Sequence, residues 1–148
     1  MGKVLVVYHT LSGNTEKMAK AVVEGAKSVA GTEVILKKAL DATLEDLVEC
    51  DGVALGSADY FSYIAGGLKD FFDKTFYPSR GKVDDKPYVA FTTGGGGGDN
   101  AMAVLDRIAG GAFKLKKLAD GVSAGGKISD SDLSGCKEIG KKLAEAVK

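Results

Sequence analysis

The sequence predicts a doubly wound α/β fold, in which helices cover both faces of a five-stranded parallel sheet. Short apolar runs alternate with amphipathic segments along the chain, at about 30 residues per strand–helix unit. Parallel strands joined through helices require right-handed crossovers, and five such units complete one sheet. The 148 residues fit one domain, 1–148, with no linker or internal repeat.

The first half of the chain is predicted to supply three strands and two helices. Lys3–Tyr8 is apolar without alternation, which is typical of a strand buried on both faces. From Thr15 onward, apolar residues recur at helical spacing, and Gly31 provides a stop. The remaining predicted elements are a more exposed strand at Val34–Leu36, a short helix at Leu44–Val48 and a buried strand at Gly52–Ser57.

The second half is predicted to complete the sheet. Leu68, Phe71 and Phe76 have the spacing of a helix face, which should end before Pro78 because proline removes a backbone donor. Tyr88–Thr93 is the fourth predicted strand. The other predictions are a helix from the cap Asn100 through Ile108 to a stop at Gly110 and Gly111, a fifth strand around Phe113–Val122, and a last helix capped within Ser129–Asp132.

Composition excludes several classes of protein. Lys plus Arg equals Asp plus Glu, at 20 each, so no overall positive field attracts nucleic acid. The first apolar run is too short for a signal peptide or a membrane span, which favours the cytoplasm and no membrane contact. Cys50 and Cys136 form no metal or redox motif and are predicted to be small buried hydrophobes.

The segment between the first strand and the first helix is the strongest candidate site. It consists of Thr10, Leu11, Ser12, Gly13, Asn14 and Thr15. The start of a helix has unpaired N–H groups and a partial positive charge, and the hydroxyls and the amide add further donors for an anion. Asn14 stands where a nucleoside-triphosphate loop would have its lysine, so a single phosphate monoester is favoured. The alternative is a capped helix without a ligand.

Two more loops follow predicted strands and would meet this segment at the same edge of the sheet. After strand three the loop is Ser57, Ala58, Asp59, Tyr60, Phe61 and Ser62. Exposed in a loop, its aromatic rings and that of Tyr63 would leave apolar area in contact with water unless a flat ligand covers them. Tyr60 is the first candidate for stacking on such a ligand. The alternative is that the rings fold back over the following helix.

The loop after strand four is rich in glycine. It consists of Thr93, Gly94, Gly95, Gly96, Gly97, Gly98 and Asp99. Five successive glycines are costly to order, so close approach of bare backbone N–H groups to a ring is a better explanation than a mobile linker. Asp99 is interpreted mainly as a helix cap, and Asp59 as a helix cap, a solvated loop charge or a charge that faces the ligand.

These loops resemble those of known flavin proteins. The run Thr10-Leu11-Ser12-Gly13-Asn14-Thr15 resembles the phosphate loop of the flavodoxins, which bind flavin mononucleotide (FMN). Gly56–Phe61, followed by Ala65-Gly66-Gly67-Leu68-Lys69, resembles the G-[ST]-P-T-x-F…A-G-x-[LM]-K pattern of FMN-dependent quinone reductases, with Ala58-Asp59 in place of Pro-Thr. The resemblance implies a flavodoxin-like strand order 2-1-3-4-5 and FMN held by the three loops. Many flavodoxins carry a flavin-covering tyrosine in the third loop, which this chain lacks.

The resemblance leaves two functions open. The first is an electron carrier that works through its flavin with a redox partner protein or a small quinone. The second is an NAD(P)H-dependent quinone or flavin reductase, which needs a donor site over the flavin. A phosphorylation-receiver domain is rejected, because His9-Thr10 and Ser57 stand where its acids would be. We expect His9 to pack or form a hydrogen bond rather than to catalyse, and the oligomeric state stays open.

Overall fold

Residues 2–148 are described by a computed structural model, which contains seven β-strands and five α-helices. The strands are β1 (Lys3–Tyr8), β2 (Glu33–Lys38), β3 (Gly52–Tyr60), β4 (Tyr63–Ile64), β5 (Pro87–Gly94), β6 (Lys116–Lys117) and β7 (Val122–Gly125). The helices are α1 (Asn14–Lys27), α2 (Leu44–Glu49), α3 (Gly66–Ser79), α4 (Asp99–Asp106) and α5 (Asp130–Ala146). None of the helices in this range is long and apolar enough to cross a membrane.

The sheet confirms the predicted fold class. Its parallel order is β2-β1-β3-β5-β6, with β7 also paired to β5, which corresponds to the predicted order 2-1-3-4-5. One difference is the short strand β4, which pairs antiparallel with the end of β3 and forms a hairpin there. The other is that two short strands, β6 and β7, occupy the fifth position.

The predicted fifth strand at Phe113–Val122 is right only in part, because it contains β6 but only the first residue of β7. Tyr88 pairs with Lys117, and Phe91 pairs with Val122. The edge strand therefore advances five residues while β5 advances three, so two extra residues leave the ladder between β6 and β7. This bulge displaces β7 toward the end of the sheet where the candidate loops lie, and the alternation of Lys and apolar residues did not reveal it.

Three helix boundaries also differ from the predictions. Pro78 lies inside the last turn of α3, where its missing N–H costs one hydrogen bond only. The cap of α4 is Gly98 rather than Asn100, which lies in the first turn. Beyond α4 the chain does not stop at Gly110 and Gly111 but continues through a π-helical turn, Arg107–Ala112, that contains both glycines.

The hydrophobic core consists of one layer on each face of the sheet. Val4, Val6 and Tyr8 of β1 pack on α1 and α5, whereas Leu5 and Val7 pack on the side of α2, α3 and α4. Because both faces of β1 are covered, its sequence shows no polar alternation, as predicted.

The contact between α1 and α5 depends on two glycines. A Cβ atom at Gly140 would overlap the carbonyl oxygen of Val22, and one at Gly25 would overlap that of Lys137. We expect Gly140→Ala to lower the free energy of unfolding by about 1–3 kcal/mol, because backbone atoms cannot move aside as a flexible side chain can. Urea unfolding measures the loss. The matched control is Gly66→Ala in α3, where a Cβ meets nothing within 4 Å and should be neutral or slightly stabilising. Equal stability of the two variants would contradict this account.

Candidate functional site

A cleft of about 510 Å³ lies at the carboxyl ends of the parallel strands, a volume within the range of ligand sites. It is at the switch point of the sheet, where the order reverses between β1 and β3. Its lining residues are Thr10, Leu11, Ser12, Asn14, Ala58, Asp59, Tyr60, Thr93, Gly94, Gly95, Gly126 and Lys127. Residues from all three predicted loops therefore meet in one place.

The start of α1 lacks a protein partner for its first N–H groups. Gly13 caps the helix with φ of 98°, a left-handed conformation that favours glycine, and no side chain of residues 2–148 caps its first turn. Thr10 Oγ1 turns back to accept the N–H of Gly13 at 2.9 Å. By contrast, α2 and α5 are closed by capping boxes. The uncapped turn beside the cleft is thus suited to an anion.

Thr15 lies behind this loop rather than in the cleft. Its side chain is buried, and its hydroxyl is 3.0 Å from that of Thr93, which does line the cleft. A bond between two hydroxyls uses one of their two protons, so the pair retains one donor. The contact also joins the end of β5 to the start of α1.

The side chains around the start of α1 carry charges of both signs. Glu16, in the first turn, accepts the Tyr8 hydroxyl at 3.0 Å and lies 3.5 Å from the Lys20 ammonium. The Tyr8 hydrogen bond and the charge of Lys20 hold the pKa of Glu16 below its usual value, while burial and Glu16 raise the pKa of Tyr8 to about 12. Lys127 lines the cleft without an ion-pair partner in residues 2–148. It is the cation available to a ligand there.

Asp59 connects the second loop to α4. Its Oδ1 accepts the N–H of Ser62 at 2.9 Å, and its Oδ2 accepts the N–H of Ala101 at 3.1 Å. The first bond closes the turn between β3 and β4, and the second occupies a free donor in the first turn of α4. Asp59 therefore fixes the position of the hairpin relative to the glycine loop.

The aromatic residues of the hairpin are placed unequally. Tyr60 lines the cleft, and its ring meets that of His9 edge-on, with centroids 6.1 Å apart. Burial raises the pKa of Tyr60. Phe61 and Tyr63 lie outside the cleft lining, and Phe61 is fully exposed at the tip of the turn. Of the three rings, the structure brings only that of Tyr60 to the cleft.

Two serines of this segment do not line the cleft. Ser57 is buried, where its Oγ accepts the N–H of Ala65 at 2.8 Å and donates to the carbonyl of Ala58 at 2.7 Å. Its hydroxyl thus holds the hairpin base. Ser62 lines an adjoining recess of about 260 Å³, together with Asp59 and the glycine loop.

The glycine loop is an ordered turn. The N–H of Gly97 donates to the carbonyl of Gly94 at 3.1 Å, and the N–H of Gly126 donates to the same oxygen at 2.8 Å. Gly97 has φ of 105°, and a Cβ at Gly98 would overlap Thr92 Oγ1. A Cβ at Gly95 or Gly96 meets nothing within 4 Å. Glycine is therefore required at Gly97 by its φ and at Gly98 by the lack of space, whereas Gly95 and Gly96 have room for a side chain.

The remaining predicted residues of this loop lie beside the cleft. Gly96 lines the adjoining recess rather than the cleft itself. Asp99 is the exposed first residue of α4, consistent with a role at the helix start, and it is absent from the lining of both cavities.

Gly126 and Lys127 were not predicted from the sequence. They follow β7, and the predicted fifth strand ended too early for the segment after it to be considered. The available signal was the position of Gly125-Gly126-Lys127 just before the capping box of α5, since such a loop must lie at the carboxyl edge of a parallel sheet.

The cysteines and the potential metal ligands of residues 2–148 lie apart from the cleft or from one another. Cys50 and Cys136 are buried and free, as predicted, and burial raises their pKa values to about 11 and about 12. Thiols of such high pKa are poor nucleophiles. No cluster of three or more His, Cys, Asp or Glu side chains suited to a metal occurs in this range.

Comparison with known proteins gives concordant results. The family model described as NADPH-dependent FMN reductase matches residues 3–129. A flavodoxin from Aquifex aeolicus is 38% identical over 162 aligned positions, which cover 99% of this chain and 88% of that protein. An NAD(P)H dehydrogenase (quinone) from Geotalea daltonii is 35% identical over 49% of this chain and 47% of its own length. The solved structure of a flavodoxin from the domain Archaea superposes with a TM-score of 0.82 at 28% identity, over 98% of each chain.

Proposed function

Since the chain belongs to the NADPH-dependent FMN reductase family and is a flavodoxin-like, FMN-binding redox protein, we propose that it is an electron carrier that holds FMN in the cleft between the three loops. The observation that carries the assignment of the cleft is the uncapped start of α1. The first backbone N–H groups of α1 have no side-chain acceptor within residues 2–148. Further possible donors lie beside them, namely the side chains of Ser12 and Asn14 and the Thr15–Thr93 hydroxyl pair.

The residues of the cleft fit the parts of FMN. The phosphate would be held by the start of α1, with Lys127 supplying positive charge. The ring system would lie between Tyr60 and the backbone of Gly94 and Gly95, where no side chain intrudes. When bound, FMN accepts and releases electrons singly or in pairs. The protein supplies orientation through Asp59, which fixes the two ring-binding loops to each other.

The partner is proposed to be a redox protein or a small quinone. Gly95 and Gly96 are exposed and carry no side chain, so one side of the ring site is left accessible to a flat acceptor. A cytoplasmic location and the absence of bound nucleic acid remain predictions from the sequence.

A reductase is the second candidate function. It is supported by the description of the matching family and by the similarity of half the chain to a quinone-reducing NAD(P)H dehydrogenase. A reductase must also bind nicotinamide against the ring, and the accessible glycine side of the cleft offers space for it.

The two functions are separated by mixing FMN-saturated protein with NADH or NADPH without oxygen and following the visible absorbance of the flavin. A carrier keeps its flavin oxidised with either nucleotide, yet after reduction by dithionite it passes electrons to added quinone. Rapid bleaching of the flavin by NADH or NADPH alone, followed by turnover with quinone, would show that the protein is a reductase and not a carrier.

A tyrosine introduced at Gly95 tests whether the glycine side is open. Gly95 lines the cleft and has room for a side chain, whereas the φ of 105° at Gly97 would strain any side chain there. We expect Gly95→Tyr to strengthen FMN binding by stacking, by about 1–3 kcal/mol by analogy with bases on aromatic side chains, and to slow reduction of a small quinone. Stopped-flow mixing of the reduced protein with quinone measures the rate. The control is Ala103→Tyr on the exposed side of α4. If both variants and the parent reduce quinone at the same rate, the glycine side of the ring site is not the route by which quinone reaches the flavin.

A further inference from the structure

A second cavity, larger than the cleft, lies away from it at the other end of the sheet. It measures about 650 Å³ and lies between the end of α3, the connection to β5 and the π-helical turn after α4. Because α3 and α4 run back along the sheet, these segments meet at the amino ends of the parallel strands. The lining residues are Phe76, Ser79, Arg80, Gly81, Val83, Asp84, Gly111, Ala112, Phe113 and Lys114. The proposed FMN function uses none of them.

One side of the cavity is cationic. Arg80 and Lys114 line it, and neither forms an ion pair or a side-chain hydrogen bond with any residue of the described range 2–148. Asp84 is the one carboxylate in the lining, so a net positive charge remains. Guanidinium and ammonium groups are the side-chain groups that bind a carboxylate or a phosphate most strongly.

The other side of the cavity is aromatic. The rings of Phe76 and Phe113 pack at 5.3 Å between centroids, and both also line an adjacent apolar groove of about 200 Å³. The groove extends the apolar surface over Phe72 and Ile108 to Tyr77, which is 74% exposed. A ligand with an anionic end and a flat apolar body could therefore contact both sides at once.

The backbone around the cavity is strained in the way that functional sites often are. Four non-glycine residues of the described chain have left-handed φ values, and they form two pairs. Phe61 and Ser62 lie in the hairpin beside the FMN cleft, whereas Asp85 and Lys114 lie beside this cavity. The N–H of Asp85 donates to the carbonyl of Lys114 at 2.8 Å, which locks the two walls together. The π-helical turn is a further irregularity of the same wall.

We propose that this cavity is a second binding site, for a small aromatic carboxylate. The carboxylate would lie between Arg80 and Lys114, and the ring would pack against Phe76 and Phe113. A site at the far edge of the sheet can be occupied while FMN fills the cleft, so the two ligands do not compete directly.

The test uses FMN-saturated, ¹⁵N-labelled protein titrated with 2-naphthoate and, separately, with the uncharged 2-naphthylmethanol. We expect saturable shifts of the amide signals of Gly81, Gly111 and Lys114 with 2-naphthoate, while the alcohol binds at least about tenfold more weakly because it lacks the charge. Equal affinity for the two probes, or shifts confined to the cleft, would overturn the proposal. Retention of FMN during the titration keeps this result independent of the proposed function.

A pair of double variants tests the cationic side. Arg80→Gln with Lys114→Gln should weaken 2-naphthoate by about tenfold or more, whereas the exposed pair Lys27→Gln with Lys142→Gln, of the same charge change but on α1 and α5 away from the cavity, should leave the affinity unchanged. Equal weakening in both pairs would show that overall charge, and not the cavity, attracts the probe. The comparison of the two probes on the parent protein decides the proposal even if the first pair folds poorly.

Discussion

Replacing Ser12 by alanine is expected to weaken FMN by about 1.5–3 kcal/mol, the value of a hydrogen bond to a charged group, and to weaken riboflavin far less. Ser12 lines the cleft beside the uncapped start of α1, and riboflavin lacks the phosphate. Titration of the apoprotein with each flavin, followed by fluorescence, measures the two losses. Their difference reports the phosphate contact alone.

Thr15→Ala should differ from Ser12→Ala in one respect. Thr15 is buried against the hydroxyl of Thr93, so its loss also leaves a buried polar group with a partner removed. We expect the FMN loss to be accompanied by a fall of about 1–3 kcal/mol in the free energy of unfolding of the apoprotein, which Ser12→Ala should not show. The control is Ser131→Ala, an exposed serine in the first turn of α5. If both flavins are weakened equally by Ser12→Ala, the loop is not the phosphate site.

Asp59→Ala is expected to loosen FMN and riboflavin alike, by about 10- to 100-fold, because it releases the hairpin from α4 and the ring site is no longer preorganised. It also leaves the N–H of Ala101, a buried residue, without its acceptor. Asp59→Asn should recover part of the affinity, since one amide oxygen still accepts. Isothermal titration with each flavin provides the measurement.

Asp46→Ala separates this effect from a general loss of stability. Asp46 also accepts a backbone N–H, that of Thr43 at 2.9 Å, in the first turn of a helix, but it does not line the cleft. The control should lose stability in urea while its flavin affinities stay at the parent values. If Asp46→Ala lowers the flavin affinity as much as Asp59→Ala does, Asp59 has no specific role in positioning the ring site.

The parts of the fold that the sequence could predict are those in which local pattern and tertiary environment agree. The run at β1 is apolar on both faces because two helical layers cover it, and the first predicted loop does contribute Thr10, Ser12 and Asn14 to the lining of the cleft. Strand order followed from the resemblance of the loops to those of flavodoxins. In each of these cases the residues that predict the feature lie close together in the sequence.

The errors arise where a distant contact decides the outcome. The bulge between β6 and β7 depends on pairing with β5, and the segment after β7 brings Lys127 to the cleft. Ser57 was predicted to begin the loop after the third strand, where a ligand-binding hydroxyl could stand, yet it lies within β3 and accepts the N–H of Ala65. No pattern within the local sequence distinguishes such a hydroxyl from a free one.

The interrupted fifth strand also bears on how this sheet meets other molecules of its own kind. A sheet edge presents unpaired N–H and C=O groups that can recruit a strand from another chain. Here one edge is divided into strands of two and four residues with Lys116 and Lys117 in the first, and the opposite edge, β2, ends in Lys37 and Lys38. Short, bent and charged edges oppose the growth of a continuous intermolecular ladder, so the bulge that shapes the cleft also protects the folded protein from aggregation.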